Sequence, residues 1–190
     1  MENLFYTHIT FEKVDYTHTQ INNREFEGCI FKNCDFSNSN VSHTTFMDCE
    51  FIDCNLSMCQ VMGTSLKTVL FKNCKLLGVQ FNTCLDFLFQ VEFHDTILDY
   101  ASFAHKKMPK TYFKSCSLLE VSFVGSNNTN SVFENCNLDH AIFNNTQLAG
   151  VDFRTAYNYK IDPEFNPMKK AIFSTQGIVG LLEKYDIKIQ

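Results

Sequence analysis

Residues 26–81 read FEGCIFKNCDFSNSNVSHTTFMDCEFIDCNLSMCQVMGTSLKTVLFKNCKLLGVQF. Within them an apolar side chain returns at every fifth position: Phe26, Phe31, Phe36, Val41, Phe46, Phe51, Leu56, Val61, Leu66, Phe71, Leu76 and Phe81. A helix would scatter such a repeat around its axis, and a strand would put alternate members on opposite faces. A backbone that turns a corner after every five residues keeps them all on its inner side.

Four such sides close a square coil and stack positions twenty residues apart, and that second period is present. Phe11, Phe31, Phe51 and Phe71 form one column. Beyond Phe81 the repeat slips by two residues and resumes as Leu88, Phe93, Leu98 and Phe103, after which the same column continues as Phe93, Phe113, Phe133 and Phe153. A second column runs Tyr16, Phe36, Leu56, Leu76, Leu98, Leu118, Leu138, and a third Ile21, Val41, Val61, Phe81, Phe103, Phe123, Phe143. The fourth is weaker, passing from Leu66 and Leu88 to Met108, Asn128 and Leu148. Self-similarity at a fixed period signals a solenoid whose coils bury a shared core by stacking.

Runs such as Cys29-Ile30-Phe31-Lys32-Asn33, Cys49-Glu50-Phe51-Ile52-Asp53 and Ala141-Ile142-Phe143-Asn144-Asn145 resemble the pentapeptide repeat, in which a small residue, a polar one and Leu or Phe precede two polar or turn-forming residues. The resemblance covers roughly 11–155. It implies an all-β fold, a right-handed quadrilateral parallel β-helix with four pentapeptides per coil. We expect that solenoid over 1–155, with an N-terminal cap at 1–10 and a two-residue bulge near 85–87. A C-terminal cap should follow over 156–190.

The composition agrees with a ladder of identical inward slots: twenty Phe and no Trp. Nine cysteines would ordinarily raise metal or disulfide chemistry. All nine, from Cys29 to Cys136, lie in the small inward slot two residues before a core position, and there is no C-x-x-C. Five of the six histidines fall two residues after a core position, pointing outward, so thiols and imidazoles should not converge and no metal or other cofactor is expected. The net charge of −5 weighs against wrapping nucleic acid directly. No apolar run approaches membrane-spanning length and 1–20 lacks a secretory pattern, which together suggest a cytoplasmic protein.

At the turns, Asn33, Asn38, Asp48, Asp53, Gly63, Asn73 and Gly78 suit tight bends. Beyond Ala156 the repeat is expected to stop. Ser174 should cap a helix over about 175–185, and its stripe of Ile178, Leu181, Leu182 and Tyr185 should cover the last coil. The segment 180–187 also resembles the C-terminal helix through which Qnr and MfpA proteins dimerise, which implies a homodimer interface on that stripe.

Function must then lie outside the core. No phosphate loop, nucleophile elbow or paired-histidine motif is present, so an enzyme is not expected. The outward carboxylates Glu50, Asp53, Glu92, Asp95, Asp99, Glu120, Asp139 and Asp152 recur along the coil, interspersed with Lys32, Lys72, Lys114 and Arg154. Coils spaced about 4.8 Å apart would line such groups up along a rod. The resemblance to Qnr and MfpA implies a mimic of DNA that binds a type II topoisomerase (DNA gyrase or topoisomerase IV) and modulates it or protects it from fluoroquinolones. The long loops of many Qnr proteins are missing; Phe87 and Phe89 at the bulge offer a substitute contact. The alternative is a non-enzymatic scaffold for another protein.

Overall fold

The computed structural model describes residues 4–188, and its backbone climbs in square coils. The first face carries β1 (Phe5–Thr7), β3 (Glu25–Glu27), β5 (Thr45–Met47) and β7 (Ser65–Lys67), all parallel. The second carries β2 (Thr10–Glu12), β4 (Ile30–Lys32), β6 (Glu50–Ile52), β8 (Val69–Lys72), β9 (Val91–His94), β10 (Tyr112–Lys114) and β11 (Val132–Glu134), one seven-stranded parallel sheet. The third and fourth faces are held by single bridges twenty residues apart, such as Asp35↔Asn55 and Asn40↔Gln60.

Phe31 pairs in register with Phe51, Phe51 with Phe71 and, across the slip, Phe71 with Phe93. Their rings stack at centroid separations of 4.7, 5.1 and 5.4 Å, and neighbouring columns meet edge to face, as the ring quadrupole favours. All nine cysteines are free and buried. Eight of them reach a carbonyl of the coil below, Cys54 Sγ, for example, donating toward the Phe31 oxygen at 3.3 Å, whereas Cys59 Sγ meets Ser39 Oγ at 3.3 Å.

Corners explain the outward pattern. Asn33, Asn38, Asp48, Asp53, Gly63, Asn73 and Gly78 all have φ between 52° and 68°, the left-handed region that Gly, Asn and Asp tolerate best. His8, His18, His43, His105 and His140 occupy the same position, so their phase reflects backbone conformation. Where a corner holds glycine, the residue one coil below folds over it. A Cβ on Gly63 would lie 2.5 Å from His43 Nδ1.

Four expectations need correction. First, the stack does not end at Ala156: Asn137 bridges Tyr157, Asp152 bridges Ile172, and Phe173 stacks on Phe153 at 5.3 Å. Second, the expected α-helix over 175–185 is two short 3-10 turns, Gly177–Leu181 and Glu183–Tyr185. Ser174 does accept from the Gly177 N–H at 3.0 Å, but Gly177 and Gly180 weaken helix propagation and let the chain press against Tyr159, where a Cβ would lie 2.1–2.2 Å away. Third, β1 pairs with β3, so Phe5–Thr7 belongs to the first coil, not to a cap; residues 1–3 of that expected cap, and 189–190 of the expected C-terminal cap, lie outside the described residues. Fourth, the slip is filled differently: Leu88 turns out at φ 57° with 62% exposure, and Phe89 takes the core slot at 7%.

Candidate functional site

The two outward columns of the second face are fixed by strand register. One runs Ile30, Glu50, Leu70, Glu92, Tyr112, Val132 and the other Lys32, Ile52, Lys72, His94, Lys114, Glu134, with Asp152 and Arg154 one coil further. Glu50 and Glu92 therefore share a column two coils apart, and with Asp48 they line one shallow groove beside the slip. They are not part of a uniformly negative strip, because lysines alternate with them. Asp152 is neutralised locally: the Arg154 guanidinium grips it at 2.7 Å, and that hydrogen bond holds its carboxyl below the ordinary value.

The other expected carboxylates gather on the third face and its two corners. Asp53 and Asp95 sit at the corner leading into it, Asp99 and Asp139 on it, and Glu120 at the corner leaving it. Asp15 and Asp35 join them through the bridge that pairs them, and sequence reasoning passed over both. Their signal was available, since each stands one residue before a core position, as Glu50 and Glu92 do. Seven carboxylates thus stand against Lys13, Lys75 and Lys160. Asp99 accepts from Ser117 Oγ at 2.6 Å and from the Leu119 N–H at 3.0 Å, and the Asp53 carboxylate takes the Asn73 amide. Hydrogen bonds from Thr17 hold Asp15 below the ordinary carboxylate value. Burial alone would raise Asp35, but donors on Ser37 and Asn55 outweigh it and lower its pKa. Asp15 and Asp35 are therefore anions at neutral pH.

The slip divides its two aromatic residues. Phe87 is 72% exposed, with Leu85 and Leu88 beside it, whereas Phe89 is buried and is not a surface contact. What holds this corner is Lys106. It is 2% exposed, its ammonium donating to the Cys84 carbonyl, lying 3.0 Å from Asp86 Oδ1 and 4.8 Å from the Phe89 ring centroid. Its phase gave it away, two residues before Met108, in the inward slot that Cys84, Ser126 and Thr146 also fill.

At the C-terminal end, Leu181 packs partly buried against the core, while Ile178 and Tyr185 are exposed and Leu182 is intermediate. Lys184 bridges Asp162 at 2.8 Å and Glu164 at 2.9 Å, and Lys160 meets Glu183 at 2.6 Å, clamping the segment onto the protein's own last coil. Among the described residues no cluster of His, Cys, Asp and Glu could hold a metal ion, and no helix is long and apolar enough to cross a membrane.

The family model for the pentapeptide repeat region matches residues 24–103, and that for pentapeptide repeats in eight copies matches 116–154. Among solved structures the fold is similar to QnrB1, a plasmid-mediated fluoroquinolone resistance protein. A trypsin-treated form aligns with a TM-score of 0.64 at 16% identity, covering 98% of this chain and 100% of that one. A second trypsin-treated form gives 0.54 at 17%, covering 98% and 91%. The full-length form gives 0.51 at 16%, covering 96% and 100%. At such identity the likeness speaks for the fold alone. No curated protein matches the chain significantly.

Proposed function

We propose that this chain, which belongs to the pentapeptide repeat family, is a non-catalytic protein whose right-handed square coil presents an acidic side to the DNA-binding surface of a type II topoisomerase. The observation that carries this reading is the gathering of Asp15, Asp35, Asp53, Asp95, Asp99, Glu120 and Asp139 along one face and its corners. Coils about 4.8 Å apart bring such groups into rows along a rigid rod, and a basic DNA saddle is complementary to rows of fixed negative charge. Likeness to a fluoroquinolone resistance protein supports the choice of target. The second face, with Glu50, Glu92 and Asp152 offset by cations, is not part of the proposed contact, and the C-terminal segment is assigned to capping because Leu181 is spent on its own core.

A supercoiling assay with purified gyrase tests the reading. Full-length protein should inhibit supercoiling, or rescue it from ciprofloxacin, at micromolar concentration, and Asp53→Asn with Asp95→Asn should weaken the effect. Asn is at home at these two left-handed corners, so the fold should survive. Absence of any effect on gyrase and on topoisomerase IV would leave only the scaffold for another protein.

A further inference from the structure

The outer face of the seven-stranded sheet has a second-order pattern. Reading up the coils, Glu12, Lys32, Glu50, Lys72, Glu92, Lys114 and Glu134 alternate in sign without a break, and Arg154, beside Asp152, stands one coil further. Between them stand Ile30, Ile52, Leu70, Tyr112 and Val132, all half-buried on a parallel sheet whose outer side no other element among the described residues covers. Parallel sheets are ordinarily covered on both faces. Over the eight coils from Glu12 to Arg154 this alternation is also antisymmetric about its midpoint, which lies between Lys72 and Glu92.

We propose that this face binds a second copy of the chain, laid side by side with its coils running in the opposite direction. A twofold axis lying along the strands, between the coils of Lys72 and Glu92, sets each coil against one of opposite sign. Lys32 then meets Glu134 of the second copy within one outward column, while Glu50 and Lys114, and Lys72 and Glu92, stand at facing levels in neighbouring columns, two residues apart along the strand. The coils of Ile30 and Val132 also come face to face. The arrangement with coils running the same way puts like charge on like charge at every level. A twofold contact is isologous, so each pair forms twice and the complementarity needs no second kind of surface. Glu134 already takes the Tyr112 hydroxyl and lies 3.9 Å from Lys114, so at that level the contact is a shared network, not an isolated pair. Strand spacing makes the sheet about 30 Å long, a small interface beside the about 800 Å² per partner of stable complexes, so the dimer is weak and concentration-dependent. The third face stays open to solvent, and the inference does not depend on the topoisomerase reading.

Sedimentation equilibrium on the full chain tests it. The wild-type mass should rise with concentration, and the rise should weaken with added salt. Lys32→Glu alone and Glu134→Lys alone should each lower the association constant at least tenfold, since both copies then carry like charges at both outer pairs. A 1:1 mixture of the two variants should recover wild-type association, because each supplies the charge the other lacks. Lys32 and Glu134 are five coils apart in one chain, so this recovery can arise only between copies. A wild type that stays monomeric at the highest soluble concentration would overturn the proposal, as would single variants that associate normally or a mixture that fails to recover. Circular dichroism of each variant distinguishes lost association from lost fold.

Discussion

At the scale of the residue, each lap of this chain asks for side chains in two special positions. One is the inward ring. Phe113 is fully buried and stacks on Phe93 and Phe133 at 5.2 and 4.7 Å, so Phe113→Ala should cost about 3–5 kcal/mol in a denaturant titration, as deep aromatic deletions do. The other is the left-handed corner. Gly63→Ala forces a Cβ into His43 and adds left-handed strain of about 1–2 kcal/mol; adding His43→Ala should relieve the clash and leave only the strain. Asn128 sits in the core with an Oδ1 that has no hydrogen-bond partner, in the column of Met108 and Leu148. Asn128→Leu should therefore raise the melting temperature. The corner carboxylates and turn residues were legible in the sequence because the five-residue phase assigns each position one conformation. Lys106 was missed because its chemistry argued for the surface while its phase argued for the core, and phase won.

Elements here are corners and short strands, and the informative one is the slip at 85–90. Two added residues open a void at one corner of the prism. Phe89 and the stem of Lys106 fill it, and the ammonium ties down Cys84 and Asp86. Lys106→Met keeps the stem and removes the tie, so chymotrypsin should cut at the exposed Phe87 and Leu88 faster than in the wild type, with the far coils still protected. The same packing governs the thiols. Burial raises Cys49 and Cys84 to about 12 and Cys59 to about 11. Alkylation of native protein near pH 8 should accordingly be slow and should accelerate only on unfolding. The C-terminal segment was the least legible element. Its stripe of Ile178, Leu181, Leu182 and Tyr185 has helical spacing, but Gly177 and Gly180 are needed for contact with Tyr159, and that tertiary demand overrode the local pattern.

For the molecule as a whole, the sequence specified the solenoid through its inward columns. It left the surface ambiguous, because outward residues have no packing partner to fix their meaning. The five-residue phase already set Glu50, Glu92 and Asp152 among Lys32, Lys72, Lys114 and Arg154, as the strand register has them, but only the bridges brought in Asp15 and Asp35, which extend the acidic side. Acid should erode this architecture gradually. Asp15, Asp35 and Asp152 have lowered pKa values in the folded state, so the stability they add is complete above the ordinary carboxylate value of about 3.9 and is lost as pH falls through their lower folded values. Melting temperatures should hold between about pH 5 and pH 8 and drop below about pH 4.

Recognition through the third face is tested most directly by titrating purified gyrase with wild-type protein and with the Asp53→Asn, Asp95→Asn, Asp139→Asn variant at two salt concentrations. Wild type should bind, and bind less tightly as salt rises; the variant should bind at least tenfold more weakly, with a shallower dependence on salt. Equal affinity and equal salt dependence for the two proteins would contradict the account.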